Sequence, residues 1–213
     1  DLLSALGALD AGRITNHGRA LAKLPLHPRL GHMVLKGGKP AVGLAALLSE
    51  RDILHRAPVA VTLRIKALAG ERGAYQLRHG ALARVKQEAK RLSRMAPDLP
   101  PRPPEIYAAL AYPDRIAQRR NGEQARYVLS GGKGAVLDAG DELASQPYLV
   151  VTDTDGNPRE ARIRAALAIS ERDVRDISQD RIETVVLCEW SRREGRVNAR
   201  EQTRLGALVL SDK

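Results

Sequence analysis

The sequence predicts a multidomain α+β chain in which helices come first and a small β-barrel follows. Three observations carry that reading. Two prolines within "LPLHP" (24–28) stop a helical pattern and restart it at once. Each proline fixes φ, removes a donor and pushes its predecessor towards extended geometry. Apolar residues then recur at spacings of three and four as far as residue 96, as helices require. Beyond "PDLPPRPP" (97–104) the period shortens towards two, as strands require.

Taken in order, residues 1–10 read as the end of a helix, broken at Ala11-Gly12. Residues 13–15 are short and extended, and a helix is expected over 16–23 with Thr15 or Asn16 as its N-cap. Helix, short strand and helix over 1–25 match the latter part of a winged-helix unit. The proline elbow follows, stiff enough to hold two modules at a fixed angle. Helices are expected over 30–36, 41–51 and 59–69, and a long one over 75–95 whose stripe is Leu82, Val85, Ala89, Leu92 and Ala96. Short glycine-containing connections make 26–96 an antiparallel helical bundle. Five prolines in eight residues make 97–104 an extended linker. Strands are expected over 115–120, 125–130, 134–138, 148–153 and 159–169, then a helix over 171–177 and extended stretches over 184–190 and from 196. Glycine turns at Gly131-Gly132 and Asp155-Gly156 separate strands. Five strands and a small helix suit a barrel of the oligonucleotide-binding type within 105–213.

The net charge of +10 is unevenly placed. Residues 1–104 hold 18 Lys and Arg against 7 Asp and Glu, whereas 105–213 hold 17 against 18. A basic half attracts polyanions by releasing their counterions. On the long helix Arg84, Lys86, Lys90, Arg91 and Arg94 project away from the apolar stripe, with Glu88 the one opposing charge among them. Arg84, Arg91 and Arg94 form a ladder about 10 Å long at 1.5 Å per residue, comparable with phosphate spacing along a strand. A second cluster is Arg115, Arg119, Arg120 and Arg126, with Arg119 and Arg120 on opposite faces of one strand. The candidate nucleic-acid contacts are therefore Arg84, Lys90, Arg91, Arg94, Arg119, Arg120 and Arg126. There is no Phe, and only Tyr107, Tyr112, Tyr127, Tyr148 and Trp190 follow the linker. Base stacking cannot then dominate, which leaves contact through the phosphate backbone.

Other motifs are set aside on chemistry. "SGGKGA" around Lys133 lies between strands, whereas a phosphate loop needs G-x-x-x-x-G-K-[ST] before a helix. "DTDGN" from Asp153 lacks the spacing of a calcium loop and reads as a turn. His17, His27 and His32 match no zinc spacing and read as surface or hinge residues. Cys188 in "VVLCEW" alternates as a half-buried structural thiol. No catalytic or metal-binding set can be nominated. One cysteine fits a reducing compartment, so a cytoplasmic protein is expected. No run of about 18 apolar residues predicts a membrane span. The chain begins at Asp1 in mid-pattern, which reads as a piece of a longer protein.

These stretches resemble a known family. "LGALDAGRITNHGRALAKLPLHPRLGHMVLKG" (6–37) is similar to the region of DEAH/RHA-type superfamily-two RNA helicases that ends the winged helix and enters a ratchet-like bundle. "LAALLSERDIL" (44–54) resembles the next signature of that bundle, and "DRIAQRR" (114–120) with "ARYVLSGGKGAVLDAGDELASQPYLVV" (125–151) resembles the barrel after it. "RREGRVNAREQTRLGALVLSD" (192–212) is similar to the bacterial HrpB-type members. The resemblance implies a parent enzyme that hydrolyses ATP with Mg and acts on single-stranded RNA, with DNA an alternative. It also implies upstream motor domains that hold the phosphate loop and the Asp-Glu-Ala-His box. No cofactor and no catalytic residue is then expected in these 213 residues, which alone should be inactive. The implied partners are the single strand and the parent's own motor domains, with no membrane. In this reading the elbow transmits motor movement to the bundle. Two alternatives stand beside it: a protein-docking or structural module, and a free-standing winged-helix nucleic-acid-binding protein.

Overall fold

The computed structural model describes residues 2–191 and 195–213. The chain opens with α1 (Leu2–Ala5), a hairpin of β1 (Leu9–Asp10) and β2 (Arg13–Ile14), and α2 (Asn16–Ala22). The helix expected through residue 10 stops early. Gly7 adopts φ +68, and Ala11 and Gly12 both take positive φ as the two-residue turn between paired strands. Thr15 caps α2, its hydroxyl oxygen accepting from the Gly18 amide at 3.0 Å and its proton going to the Gly7 carbonyl at 2.7 Å.

The elbow resolves as a turn ending at His27, whose ψ of 139° precedes α3 (Pro28–Gly37) with proline at its first position. α4 (Val42–Ser49) is apolar all round and accordingly buried. α5 (Val61–Leu68) and α6 (His79–Ser93) complete the bundle. α6 buries Ala81, Val85 and Leu92 but starts four residues later than its periodicity suggested. The intervening chain is claimed by tertiary pairing: Leu77 bridges to Leu54, and the Arg78 amide donates to the Ile53 carbonyl at 2.8 Å.

The proline tract is fastened along the bundle. Lys39 donates its amide to the Pro97 carbonyl at 2.9 Å and pairs with Asp98 at 2.7 Å. It then enters a helix that periodicity did not reveal, α7 (Pro104–Ala111). Eight residues are too few to show a stripe, and the opening proline reads as more linker although it suits a first helical turn. α7 buries Ile106, Tyr107, Ala108, Ala109 and Ala111.

Five strands follow: β3 (Ile116–Arg119), β4 (Arg126–Leu129), β5 (Gly134–Val136), β6 (Tyr148–Thr154) and β7 (Glu160–Ala168). They close in the order β3-β4-β5-β7-β6, with β5 and β7 parallel and every other pairing antiparallel. The "SGGKGA" segment is the β4–β5 turn, with Gly132 at φ +92. In "DTDGN" the Asp155 carboxylate accepts from the amides of Asn157 and Arg162, folding the turn on itself. α8 (Glu171–Ile177) is capped by Ser170. The chain ends in a three-stranded sheet, β8 (Ile182–Ser191), β9 (Arg196–Leu205) and β10 (Leu208–Asp212), ordered β10-β9-β8. The start of the 192–212 stretch, residues 192–194, lies outside the described residues, as does Asp1. Cys188, expected half-buried, is exposed on β8, because β9 covers one edge of this strand and nothing described covers its faces there.

One apolar core crosses every boundary. Met33, Val34, Val42 and Ala45 of the bundle meet Tyr107 and Ala108 of α7, Ile116, Val150 and Leu167 of the barrel, and Leu205 and Leu208 of the last sheet. A second cluster fills the barrel with Tyr127, Leu129, Leu149, Val151 and Ile163, and Ala60 of the helical part joins it. Burying a Leu, Ile or Val contributes about 1.5–3 kcal/mol, so this continuity fixes the bundle against the barrel. Gly206, at φ +55, lets the β9–β10 turn approach the barrel; a Cβ there would collide with the Ser130 carbonyl oxygen.

Candidate nucleic-acid interface

α6 exposes its basic face because Val85 and Leu92 point the opposite way. The structure divides the candidate contacts by what already holds them. Arg84 pairs with Glu50 at 3.6 Å. Arg91 is clamped by Glu88 through two bonds of 2.8 and 2.5 Å. Arg126 pairs with Glu160 at 3.2 Å, and Arg119 donates to the Ala144 carbonyl at 2.9 Å. Among the described residues, no side-chain hydrogen bond or ion pair engages Lys90, Arg94 or Arg120, all of them exposed. Lys86 is equally exposed and unengaged. Lys86, Lys90 and Arg94 stand four residues apart, so they line one face of α6 over about 12 Å at 1.5 Å per residue. The unspent positive charge thus runs through these three rather than through Arg84 and Arg91.

Beside this face a groove of about 1000 Å³ separates the elbow and bundle from β6 and β7. Of the seven candidates only Arg91 lines it. Sequence reading missed Arg29, Arg64 and Arg164 and placed Arg115 only in a wider cluster. None of these four carries a local signal, because the chain brings them together over tens of residues. Arg29 at the α3 N-terminus grips Asp114 through bonds of 2.6 and 3.0 Å and donates to the Ala111 carbonyl at 3.1 Å. Burial pushes the Asp114 carboxyl up, but the Arg29 bond and charge outweigh it and hold the group below its ordinary value. Arg64 grips Asp52 at 2.8 and 3.2 Å and donates to the carbonyls of Pro58 and Ala60, and Asp52 is held low in the same way. Arg115 lies 5.3 Å from the centre of the Tyr112 ring, and Arg29 lies 5.2 Å from it.

Two of the three histidines meet. His17 Nε2 and His32 Nδ1 are 2.8 Å apart with rings at 89°, one donating and the other accepting. Burial first, then the charges of His17 and Lys36, push His32 down to about 4, against a bond to the Leu6 carbonyl that raises it. His27 instead caps α3, its Nδ1 accepting from the Arg29 amide. Among the described residues no group of three or more His, Cys, Asp and Glu is placed to hold a metal. Among the same residues no helix is long and apolar enough to cross a membrane.

This arrangement has close structural counterparts. A crystal structure titled E. coli DExH-box NTPase HrpB superposes with a TM-score of 0.80 and 26% identity, over 100% of this chain and 26% of that one. The ATP-dependent RNA helicase HrpB of Escherichia coli (strain K12) is 29% identical over 220 residues, 98% of this chain. The family described as ATP-dependent RNA helicase HrpB, connector region, matches residues 181–213. The chain is similar to HrpB helicases along its whole length, and its residues 181–213 match the HrpB connector region. A second crystal structure, titled Escherichia coli DEAH/RHA helicase HrpB, shares the fold at a TM-score of 0.78 and 22% identity, again over 100% of this chain and 26% of that one. The chain spans about a quarter of the length of these HrpB relatives. The connector match begins at Arg181 and takes in the sheet β8–β10.

Proposed function

We propose that this chain is the accessory C-terminal part of an ATP-dependent RNA helicase, which binds single-stranded nucleic acid through its phosphate backbone. Residues 1–25 end a winged helix, 26–96 form the ratchet-like bundle, 97–104 link, and 105–213 hold an OB-type barrel and the start of the HrpB C-terminal region. The strand order β3-β4-β5-β7-β6 supports the barrel assignment. The parent's motor domains supply ATP and Mg chemistry, in a cytoplasmic enzyme, and this chain alone hydrolyses nothing. Its role is contact and coupling: the strand lies on the bundle, and the continuous core relays motor movement between bundle and barrel.

The observation that carries this reading is the unspent row Lys86, Lys90 and Arg94 on α6. Three cations on one helix face, without carboxylate partners and without an aromatic platform, suit phosphates rather than bases. Arg120 adds a contact on the barrel side; Arg84, Arg91, Arg119 and Arg126 contribute after exchanging their present partners. Fluorescence anisotropy with labelled twelve-nucleotide oligouridylate, oligoadenylate and mixed-sequence RNA is the test. Similar affinities for all three, each weakened at least tenfold by K86Q/K90Q/R94Q, are expected. A strong preference for one sequence, or unchanged binding in the variant, refutes the reading.

A further inference from the structure

We propose that Tyr75 is a base-stacking platform at the N-terminal end of α6, taking one base of a single strand whose phosphates lie along that helix. This stack belongs to the contact with single-stranded nucleic acid proposed above and depends on it. Four of the five tyrosines are spent on the fold: Tyr107, Tyr112, Tyr127 and Tyr148 are exposed by 3%, 8%, 1% and 6%. Tyr75 is 36% exposed, and among the described residues no hydrogen bond or ring contact engages its side chain.

Position gives this ring a use. Tyr75 stands four residues before His79, the first residue of α6, so even a fully extended chain keeps it within about 14 Å. His79 lies two turns before Lys86 on the same helix face, and it too is exposed and unengaged. The unspent row therefore reaches the start of the helix, over about 22 Å from His79 to Arg94 at 1.5 Å per residue. α6 itself carries no Tyr, Trp or Phe. The segment that leads into it supplies the ring.

That segment is held in place by pairing. The His55 amide donates to the Gln76 carbonyl at 2.9 Å and the Arg78 amide to the Ile53 carbonyl at 2.8 Å, with Leu54 and Leu77 bridged between them. Tyr75 precedes Gln76, and Arg56 follows His55, so the two are backbone neighbours of one paired couple. Arg56 is exposed, unengaged and held at φ +49, a conformation that a residue other than glycine keeps only where its surroundings fix it.

Charge on this stretch favours a polyanion. Residues 50–79 hold six Lys and Arg against three carboxylates. Arg84 holds Glu50 and Arg64 holds Asp52, which leaves Glu71 as the carboxylate without a partner among the described residues. Against it stand Arg51, Arg56, Lys66 and Arg72, all exposed and with no side-chain bond among the described residues. A base–aromatic stack is sequence-tolerant because every base has a π-face, so Tyr75 adds affinity without adding a sequence preference.

The test is fluorescence anisotropy of labelled twelve-nucleotide oligouridylate and oligoadenylate with the parent chain, Y75A, Y75F and K86Q/K90Q/R94Q. Y75A should weaken both oligomers about tenfold, the size of one lost stack, whereas Y75F should bind like the parent. The salt dependence of Y75A should match that of the parent, because no phosphate contact is lost. Binding that responds to K86Q/K90Q/R94Q but not to Y75A overturns the stack and leaves the phosphate row standing. A parent chain that binds neither oligomer overturns both. Y75F as weak as Y75A, or a shallower salt dependence in Y75A, also overturns the stack, since the hydroxyl or the phosphate contacts would then carry the effect.

Discussion

Acid should weaken this fold through one ring. His32 Nδ1 lies 2.8 Å from His17 Nε2, so the pair has room for one proton between the rings, and Lys36 opposes a second. The folded-state value of His32 is about 4 against an ordinary 6.5. Between those values the unfolded chain binds the proton and the folded chain does not, so stability falls as pH drops through that window and levels off for this group below it. At 1.36 kcal/mol per unit the full difference is about 3 kcal/mol; partial solvent access and incomplete protonation at pH 4.5 reduce it to about 2 kcal/mol. Urea unfolding of the parent chain and of H32Q at pH 7.0 and pH 4.5 isolates the effect. The glutamine still accepts from His17 but does not titrate. The parent should lose about 2 kcal/mol more than H32Q over this interval. Equal losses in both proteins would refute the reasoning, because the acid sensitivity would then belong to other groups.

Two further outcomes follow from the junction between elbow, α7 and β3. D114A strands the Arg29 guanidinium, whose side chain is only 11% exposed, and should cost about 3 kcal/mol in urea unfolding; a loss below about 1 kcal/mol would mean that Arg29 finds water or another acceptor. G206A puts a methyl group against the Ser130 carbonyl oxygen and holds a non-glycine residue at φ +55. It should destabilise by about 2 kcal/mol in the same assay, and a neutral change would mean that the β9–β10 turn is not pressed against the barrel.

Much of this fold was legible in the chain because its signals are local. Thr15 before Asn16, Pro28 after His27 and Gly132 between two strands each act on neighbours, and each does what its chemistry dictates. The alternating strands of the barrel fell within one to two residues of their periodicity. The misses share another cause. α7 is short and opens on proline, the segment before α6 pairs with Ile53 and Leu54, and Cys188 sits on a strand whose faces nothing described covers. In each, contacts distant in sequence decide the outcome. The same holds for the site. The basic face of α6 follows from helical spacing, but which of its cations are spent on Glu50 and Glu88 does not. Nor does spacing bring Arg29 to Asp114 across more than eighty residues, or Arg115 to Arg164 at one groove.

The central claim is that three unpaired cations on α6 hold a phosphate backbone. The most direct measurement is the salt dependence of oligouridylate binding to the parent chain and to K86Q/K90Q/R94Q. Each phosphate contact contributes about 0.7 to the slope of log affinity against log salt for a single strand. Removing three should therefore make the slope shallower by about 2. A slope identical in the two proteins would contradict the claim.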